Sequence, residues 1–322
     1  MTVGILLVGG RGTRLSPITS QIPKPMLPIA GKPVTEHQII AAQKAGVTTL
    51  VLATSYLSEV FTPYFGDGSK WGIDLRYAVE KEPLGTGGAI AHAAQYLDQG
   101  PGDEPVVIFN GDVLSGHDLA AQITFHQSKK ADVTLHLIQV EDARAFGCVP
   151  TDSDGRVEAF LEKMDNPVTN WINAGCYVFS REVINSIPQG KVVSVERETF
   201  PSLIEDKRDV FGYKEAAYWL DIGTPAALFK GSRDYVSGQA LLSPSATVDP
   251  TAQVTGGSSI GPECLIAANV QIENSIVLQG ALIGAGASVT RSFIAPGAQV
   301  EAGAQIVDRY ISISENSPIT FN

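Results

Sequence analysis

The sequence contains few of the features that mark secreted or membrane-spanning proteins. Its 322 residues include only three cysteines, Cys148, Cys176 and Cys264. They are far apart, odd in number and without metal-ligand spacing, so we expect reduced, partly buried thiols in a cytoplasmic protein. No run of residues approaches the roughly 20 apolar side chains of a membrane span. No basic segment precedes the first apolar stretch, so we expect no signal peptide.

Basic residues are also scarce. The chain has 23 lysines and arginines against 34 acidic residues, which gives a formal net charge of −11. Proteins that bind nucleic acids carry a basic face, so this charge argues against a nucleic-acid partner. The composition, 44% hydrophobic and 18% charged, is typical of a soluble globular protein with one large domain or two. An acidic protein that binds anions must therefore concentrate its positive charge locally.

A glycine-rich loop near the N-terminus lacks both common phosphate-binding fingerprints. The apolar run from Val3 to Val8 predicts a buried strand, and the motif Gly-Gly-Arg-Gly-Thr-Arg follows it from Gly9. Leu15 stands where the Rossmann fingerprint would have its third glycine, and the Gly-Lys-Ser/Thr of the Walker form is absent. From the glycines alone, an ordinary strand-to-helix turn remains a possible interpretation.

Positive charge is concentrated at the same loop. Arg11, Arg14 and Lys24 follow the predicted strand, and Lys24 lies between two prolines. Backbone N–H groups of glycine-rich turns form concavities for anions, and these three side chains would pair with phosphate oxygens. The loop therefore predicts a site for a nucleotide polyphosphate.

Strands and helices are predicted to alternate over the first 140 residues. The predicted strands are Val3–Val8, Thr49–Ala53, Ile73–Val79, Val106–Phe109 and Val133–Val140. The predicted helices are Thr35–Ala45, Ser58–Phe65, Thr86–Tyr96 and Leu119–Lys129. This order indicates an α/β fold with a doubly wound, mostly parallel, Rossmann-like sheet. Ligands bind beyond the carboxyl ends of such strands, where the glycine loop and Asp112 fall.

From Cys148 to Val178 the sequence no longer alternates between long strands and helices. Strand-like pieces at Arg156–Phe160 and Tyr177–Phe179 alternate with Asp, Asn, Gly and Pro, so we expect an antiparallel insertion over the mouth of the sheet. After it we expect a helix at Val195–Leu203, a strand at Tyr218–Leu220 and a last helix starting at Pro225.

Beyond about residue 238 the sequence becomes a repeat. Aliphatic residues recur every six positions, at Val248, Val254, Ile260, Ile266, Ile272 and Leu278. The series restarts after five-residue steps, which suggest irregular corners. A period of six predicts a left-handed parallel β-helix of hexapeptide repeats, so we expect a catalytic domain at 1–238 and a β-helix at 239–322. The last coil would be capped by another subunit or by Tyr310 to Asn322.

Several motifs together resemble the nucleotide-sugar pyrophosphorylases over nearly the whole chain. They are Gly-Gly-Arg-Gly-Thr-Arg-Leu at 9–15, Pro-Lys-Pro at 23–25, Glu-Lys-Glu-Pro-Leu-Gly-Thr-Gly-Gly at 80–88, Asn-Gly-Asp at 110–112, Phe-Leu-Glu-Lys at 160–163, Asn-Ala-Gly at 173–175 and Trp-Leu-Asp-Ile-Gly at 219–223. The resemblance is closest to the mannose-1-phosphate guanylyltransferases. It implies that a sugar 1-phosphate attacks the α-phosphorus of a nucleoside triphosphate in line, with pyrophosphate as the leaving group.

The resemblance also implies roles for individual residues. Nucleotide contacts are expected from Leu7, Gly9, Gly10, Gly12, Thr13, Glu80, Gly85 and Thr86. Catalytic roles are expected for Arg14, Lys24, Asp112 and Lys163, and sugar contacts from Gly111, Gly147, Glu162 and Asn173. Asp112 and Asp221 are expected to hold Mg²⁺, a cation that favours carboxylate oxygens and phosphates. Taken singly, each could instead be a turn residue, a solvated loop residue or an exposed ion pair.

Glu80 bears on the choice of base. Uridylyl and thymidylyl relatives typically have glutamine there, which suits a pyrimidine edge because glutamine both donates and accepts. An ionised carboxylate only accepts, and guanine offers two adjacent donors, so Glu80 favours GTP. The alternative interpretation is an exposed residue at a strand end. Mannose 1-phosphate as the sugar follows from the resemblance alone.

Other functions remain open from the sequence. A glucose-1-phosphate thymidylyl- or uridylyltransferase, or a non-catalytic regulatory paralogue that binds nucleotide sugars, would share most of the motifs. An acyltransferase built on the β-helix would need a histidine base there, and residues 239–322 contain no histidine. We expect GTP and a hexose 1-phosphate as substrates, no nucleic acid or membrane partner, and a homo-oligomer.

Overall fold

The computed structural model describes residues 2–10, 12–55, 58–98 and 104–321. The chain forms two compact units, one of Met1–Gly10 with Thr35–Trp219 and one of Arg11–Val34 with Leu220–Asn322. Arg11, one of the predicted phosphate-binding cations, lies outside the described residues. Within the described residues, no helix combines the length and apolar character needed to cross a membrane.

Strands and helices alternate over most of the chain. In residues 2–221 the strands are β1 Thr2–Leu7, β2 Pro28–Ile29, β3 Lys32–Pro33, β4 Val47–Thr54, β5 Asp74–Val79, β6 Val106–Asn110, β7 Val113–Ser115, β8 Val133–Gln139, β9 Gly147–Cys148, β10 Leu161–Glu162, β11 Trp171–Phe179, β12 Val210–Lys214 and β13 Trp219–Asp221. The α-helices are α1 Val34–Lys44, α2 Phe61–Phe65, α3 Gly85–Ala94, α4 Leu119–Lys129, α5 Arg181–Ser186, α6 Phe200–Glu205 and α7 Pro225–Tyr235. Short 3₁₀ turns lie at Thr13–Leu15, Ile18–Ser20, Lys24–Met26, Ser58–Val60 and Ser69–Trp71.

The first unit is built on one large sheet. β1 pairs in parallel with β4 on one side and β6 on the other, and β5 extends the sheet beyond β4. β11 runs antiparallel between β6 and β8, and β12 pairs with β8 in parallel. The predicted mostly parallel α/β sheet is confirmed. Its strand ends bring the loop after β1 and the turn after β6 to the same edge.

The insertion predicted for residues 148–178 is only partly correct. Tyr177–Phe179 belongs to β11, which lies inside the main sheet rather than over its mouth. Arg156–Phe160 forms isolated bridges at Arg156 and Val157 instead of a strand. Turn-forming residues on either side of a short apolar segment do not reveal its partner, and the buried partners β6 and β8 decide where β11 lies.

Two predicted helices differ from simple α-helices. Ser58–Phe65 begins as a 3₁₀ turn and continues as α2, while Val195–Leu203 begins as a π-helical turn at Val195–Thr199 before α6. The other predicted strands and helices agree with the structure to within two residues at most ends, and α4 has the predicted bounds. Boundaries of this kind depend on local hydrogen bonding that a hydrophobic pattern does not resolve.

The core of the first unit lies between the sheet and α3. Ala89, Ile90 and Ala93 of α3 pack with Ile5 and Ile108 from the central strands. The small side chains let the helix approach the sheet closely. The helix therefore holds its N-terminal end, the Gly85–Thr86 turn, close to the carboxyl ends of the strands.

The second unit contains the parallel β-helix. Its strands are β14 Leu241–Leu242, β15 Thr247–Val248, β16 Gln253–Thr255, β17 Ser259–Ile260, β18 Leu265–Ile266, β19 Gln271–Glu273, β20 Ile276–Val277, β21 Leu282–Ile283, β22 Ser288–Thr290, β23 Phe293–Ile294, β24 Gln299–Val300, β25 Gln305–Val307, β26 Arg309–Ile311 and β27 Asn316–Pro318. They form three stacks, and apart from β26 with β27 the successive strands of each stack pair in parallel. Ile266, Ile283 and Val300 lie in register in one stack, and their side chains are buried. The six-residue period is thus confirmed as a β-helix.

The end of the chain folds back on the β-helix. β27 pairs antiparallel with β26, and Ile319 is buried. This hairpin extends the stack of β14, β17, β20, β23 and β26. It supplies the kind of cap that was expected from Tyr310 to Asn322, although Asn322 itself lies outside the described residues.

Candidate active site

The glycine loop leaves β1 with backbone geometry that only glycine fits well. Val8 N donates to Ala53 O at 3.0 Å, so the chain is still attached to β4 as the loop begins. A Cβ on Gly9 would lie 2.9 Å from Ser55 Oγ, and Gly10 has a φ of 117°. Larger residues at either position would move the loop away from the strand edge.

The second half of the loop packs against the segment that carries Lys24. Gly12 has a φ of 58°, and a Cβ there would lie 3.0 Å from Lys24 Cβ. Thr19 Oγ1 donates to Gly12 O at 3.0 Å, which anchors the turn. Thr13 and Arg14 follow in a 3₁₀ turn with exposed side chains. The predicted phosphate-binding residues Gly12, Thr13, Arg14 and Lys24 thus form one local structure.

Lys24, Arg14 and Asp221 form a charged cluster in the second unit. Lys24 is only 8% exposed, and its Nζ lies 3.6 Å from Asp221 Oδ1. A Cβ on Gly223 would lie 2.8 Å from Arg14 Nη2 and 3.0 Å from Asp221 Oδ2. Gly223 therefore leaves the room in which both side chains sit. The sequence motif contains Gly223, but nothing in it marked this glycine as part of the site.

The turn that carries Asp112 is held by backbone and side-chain bonds. Gly111 N donates to Leu7 O at 2.9 Å, and a Cβ on Gly111 would lie 2.3 Å from that same oxygen. Gln38 Nε2 donates to Asn110 O at 2.7 Å and to Val113 O at 2.8 Å. Gln38 is buried, and its two bonds bracket Asp112. Sequence reasoning did not find Gln38, because a glutamine in a helical segment gives no signal of this contact.

The predicted sugar-binding residues Gly147 and Glu162 face each other across β9 and β10. A Cβ on Gly147 would lie 2.9 Å from Glu162 Oε2, so the glycine makes room for the carboxylate. Lys163 Nζ lies 3.7 Å from Glu162 Oε1, and the Lys163 side chain is 62% exposed. Such an exposed pair contributes little to stability, which leaves the ammonium group available to a ligand.

Asn173 lies on β11 and is fixed at both ends of its amide. Its Nδ2 donates to Tyr177 Oη at 2.8 Å, and its Oδ1 accepts from Gly175 N at 3.1 Å. Asn110 Nδ2 donates to the same tyrosine hydroxyl at 3.4 Å. Tyr177 therefore joins the end of β6 to the predicted sugar-binding asparagine.

Glu80 is half-buried at the end of β5, so the interpretation as a freely exposed strand-end residue is wrong. Its N–H donates to Thr54 O at 2.9 Å, and Leu84 N–H donates to its carboxylate. Oε1 is buried and has no donor among the described residues. Burial raises the pKa of Glu80. A buried acceptor without a donor costs about 1–3 kcal/mol, so the geometry suits a ligand that donates here.

The Gly85–Thr86 turn at the start of α3 is bound to the segment before α6. Thr86 Oγ1 donates to Glu196 Oε2 at 2.7 Å and accepts from Val195 N at 2.9 Å. Gly85 has a φ of 71°, and a Cβ there would lie 2.6 Å from Val193 O. These contacts explain the glycine and the threonine structurally and fix the position of the turn beside Glu80.

The fold and these local structures define a class. A mostly parallel sheet of this kind, with a glycine-rich loop after its first strand, is an architecture that binds nucleotides at the carboxyl ends of its strands. The family model described as "Nucleotidyl transferase" matches residues 3–238, and the model described as "GMPPB C-terminal domain" matches residues 236–317. The chain belongs to the nucleotidyl transferase family. Enzymes of this family generally use a divalent metal ion.

Relatives agree with this assignment. The chain is 47% identical over 289 residues to the mannose-1-phosphate guanylyltransferase of Mycobacterium tuberculosis, and the match covers 86% of this chain and 79% of the relative. HddC from Yersinia pseudotuberculosis complexed with GMP-PN superimposes with a TM-score of 0.61 at 28% identity, covering 73% and 100% of the two chains. A putative glucose-1-phosphate thymidylyltransferase from Bacillus anthracis, in complex with a sucrose, shares the fold with a TM-score of 0.64 at 20% identity, covering 72% and 94%.

Proposed function

We propose that this protein is a mannose-1-phosphate guanylyltransferase that converts GTP and mannose 1-phosphate to GDP-mannose and pyrophosphate. The observation that carries the proposal is the 47% identity to the Mycobacterium tuberculosis enzyme of that name, over 86% of the chain. The charged cluster, the sugar-facing residues and Glu80 support it from the structure. The reaction is an in-line displacement at the α-phosphorus without a covalent enzyme intermediate.

The glycine loop and its cations would neutralise the triphosphate. Backbone N–H groups of Gly9, Gly10, Gly12 and Thr13 would hold the β- and γ-phosphates. Arg14 and Lys24 would stabilise the charge that develops as pyrophosphate leaves. Lys24 is buried beside Asp221, so its ammonium group is held in place before substrate arrives. Preorganised charge of this kind usually contributes more to the rate than any other single effect in such catalysis.

Asp112 and Asp221 would supply carboxylate oxygens to Mg²⁺, which polarises the phosphate oxygens when bound. Within residues 2–10, 12–55, 58–98 and 104–321, no group of three or more His, Cys, Asp or Glu side chains could hold a metal. A pair of carboxylates fits Mg²⁺, which is bound by one or two carboxylates together with substrate phosphates rather than by an all-protein cage. Gln38 would keep Asp112 in position through its bonds to Asn110 O and Val113 O.

The hexose 1-phosphate would bind along β9, β10 and β11. Lys163, whose ammonium group is exposed, would grip the phosphate. Glu162 and Asn173 would bind sugar hydroxyls, and the backbone of Gly147 and Gly111 would contact the sugar, with Gly147 making room for the Glu162 carboxylate and Gly111 packed against Leu7 O. Each of these side chains is already oriented by a contact within the protein, which lowers the entropy cost of binding.

Glu80 would select the base, assisted by the Gly85–Thr86 turn. Guanine presents N1–H and N2–H₂ side by side, and an ionised carboxylate accepts from both. Uracil would set carbonyl oxygens against the same carboxylate. The buried Oε1 of Glu80, which has no donor among the described residues, is suited to one of these two groups.

The test measures the rate of pyrophosphate release for each combination of four nucleoside triphosphates with mannose, glucose and N-acetylglucosamine 1-phosphates. We expect the highest kcat/KM for GTP with mannose 1-phosphate. A preference for dTTP or UTP with glucose 1-phosphate would contradict the proposal in favour of a thymidylyl- or uridylyltransferase. Binding of nucleotide sugar without any turnover would instead favour a regulatory paralogue.

Two further properties belong to the same proposal. The described cysteines Cys148, Cys176 and Cys264 are buried and not joined by disulfides, as expected for a cytoplasmic enzyme.

A homo-oligomer, formed through the β-helix or the catalytic domain, is proposed as well. Light scattering of the purified protein tests the assembly, and a monomer at all concentrations would contradict it.

A further inference from the structure

Asn110 presents an acceptor that the described protein does not use. It is the last residue of β6, directly before Gly111 and Asp112. Its Oδ1 is buried and has no donor among the residues in 2–10, 12–55, 58–98 and 104–321. Its Nδ2 donates to Tyr177 Oη at 3.4 Å, so the donor end of the amide already has a partner. Buried acceptors almost always have a hydrogen-bond donor, so we expect a bound molecule to donate to Asn110 Oδ1.

Tyr177 holds two asparagines at once. Its hydroxyl accepts from Asn110 Nδ2 and from Asn173 Nδ2, at 3.4 and 2.8 Å. The side chain is fully buried, and its ring packs edge-on against Phe179 and Phe200. A hydroxyl carried on a ring packed in this way is a fixed point. The two amides therefore have a defined orientation relative to each other.

An irregularity in β11 creates this arrangement. The pairing of β11 with β8 shifts register between Asn173 and Tyr177, and Gly175 has a φ of 76°. A Cβ on Gly175 would lie only 3.0 Å from Asn110 Nδ2. Bulges of this kind redirect side chains and are over-represented beside active sites. Both asparagine amides reach the Tyr177 hydroxyl beside this bulge, and the missing side chain of Gly175 leaves space for the Asn110 amide.

We propose that Asn110 is a further substrate-binding residue, whose Oδ1 accepts a hydrogen bond from a hydroxyl group of the hexose 1-phosphate, and that Tyr177 is the positioning residue that orients Asn110 and Asn173 together. The inference rests on the proposed function for the identity of the sugar. The hexose is the favoured donor because Tyr177 couples Asn110 to Asn173 on β11, and β11 pairs with β9 at Ile172 and Cys148. A ribose hydroxyl of the nucleotide has the same chemistry and is distinguished by the experiment.

The test is a cycle of enzyme variants against deoxy substrates. Mannose 1-phosphates that lack one hydroxyl are compared in the wild-type enzyme and in Asn110→Leu. We expect one analogue to lose about 10- to 100-fold in kcat/KM with wild type, as when a buried polar group is left unpaired. Asn110→Leu should lose a similar factor with mannose 1-phosphate itself and nothing further with that analogue. Equal losses in both proteins for every analogue would overturn the proposal.

Tyr177→Phe separates positioning from folding. It should raise KM for the hexose 1-phosphate several-fold with little change in kcat or in KM for GTP. Tyr77→Phe is the matched control, since it removes a tyrosine hydroxyl bonded to Gly66 O at 2.6 Å elsewhere in the same unit. An equal KM effect in both variants would contradict a positioning role. Thermal melts of each variant report any loss of folding separately.

Two further outcomes are distinguishable. If the loss of kcat/KM seen in wild type disappears in Asn110→Leu for 2′- or 3′-deoxy-GTP rather than for a deoxy sugar, the hydroxyl belongs to ribose and the hexose assignment is wrong. If wild type prefers another hexose 1-phosphate, the proposed substrate is wrong. The same cycle on deoxy analogues of the preferred sugar still decides the role of Asn110.

Discussion

Single residues near the strand ends either leave space for a charged neighbour or present a polar atom without a donor. Glycines make room for charged neighbours, as Gly223 does for Arg14 and Asp221, and Gly147 for Glu162. Other residues present an unused polar atom, as Glu80 and Asn110 do among the described residues. A buried acceptor without a donor carries a free-energy cost in the empty protein, and a substrate that donates to it recovers that cost.

Replacing Glu80 tests the selection of the base. Glu80→Gln should lower kcat/KM for GTP relative to UTP by about 10- to 100-fold, because an amide cannot accept from both guanine donors. Steady-state pyrophosphate release with both nucleotides measures the ratio. Glu82→Gln, an exposed acid two residues away, should leave the ratio unchanged. An unaltered ratio in Glu80→Gln would show that the base is selected elsewhere.

Gly223 offers a test of the charged cluster. Gly223→Ala places a methyl group 2.8 Å from Arg14 Nη2 and should displace that guanidinium. We expect kcat to fall about tenfold or more, with a small change in Tm, because the loss is in transition-state stabilisation. Gly116→Ala is the control, since its nearest neighbour, Tyr218 Cβ, would be 3.6 Å away. Normal kcat in Gly223→Ala would mean that Arg14 does not act from this position.

Secondary-structure elements act here as supports for turns. Helix α1 contributes Gln38 to the turn after β6, and the segment before α6 binds the turn that begins α3. In the second unit, the side chains of β18 alternate between the inside and the outside of the β-helix, with Ile266 buried and Leu265 half exposed. The contribution of each contact to activity or to the free energy of unfolding can be measured separately.

Gln38→Leu should weaken the turn that carries Asp112. Losing both bonds to Asn110 O and Val113 O should raise the Mg²⁺ concentration needed for half-maximal activity several-fold. Gln122→Leu is a matched control, because Gln122 is also buried and donates to two strand carbonyls, those of Thr134 and Cys176. Both variants should lower Tm, and only Gln38→Leu should change the Mg²⁺ titration. An equal Mg²⁺ requirement in the two would contradict the role of Gln38.

Adjacent residues of β18 test the interior of the β-helix. Ile266→Ala should destabilise the protein by about 2–4 kcal/mol, because it leaves a cavity between Val248 and Ile283. Leu265→Ala on the same strand should cost well under half as much, because that side chain is 50% exposed. Urea unfolding gives both values. Similar losses for the two would argue against the inward assignment of Ile266.

At the scale of the whole molecule, buried histidines set a limit on acid stability. Burial lowers the pKa of His126 to about 4 and that of His136 to about 3, and it also lowers the pKa of His117. In the unfolded chain these groups titrate near pH 6.5. Below that pH the unfolded state binds more protons, so the stabilising contribution is complete above about pH 6.5 and is lost as the pH falls toward 4.

Tm measured from pH 7.5 to pH 4.5 should therefore decrease, most steeply below pH 6.5. His136→Leu should flatten the decrease. Both ring nitrogens of His136 are buried without a hydrogen-bond partner in the part of the chain that the structure describes, so an apolar side chain loses no such bond there. A Tm that is constant across this range in the wild-type protein would contradict the prediction.

The organisation of the chain also differs from a simple division in sequence. Residues 11–34 and 220–322 form one unit, so the segment carrying Lys24 belongs with the β-helix rather than with the large sheet. Within that unit Phe229 of α7 packs edge-on against Phe321, and a Cβ on Gly257 would lie 2.7 Å from Arg233. The domain boundary at 238/239 stays a prediction.

The sequence by itself determined the elements and the candidate chemistry. Periods of six and alternating apolar segments are local patterns, so they predicted the β-helix and the α/β sheet. The motifs named the glycine loop, Lys24, Asp112, Asp221 and Glu80 because each residue type has a chemistry that is independent of its neighbours in space.

Only the tertiary structure decided which residues meet. The interior position of β11, the Gln38 bonds around Asp112 and the shared hydroxyl of Tyr177 all join residues far apart in sequence. Nothing in a local pattern specifies such contacts, because they arise from strand order and from a bulge whose partner lies on another strand. The candidate residues for the chemistry were visible in the sequence, and the residues that contact them from elsewhere in the fold were not.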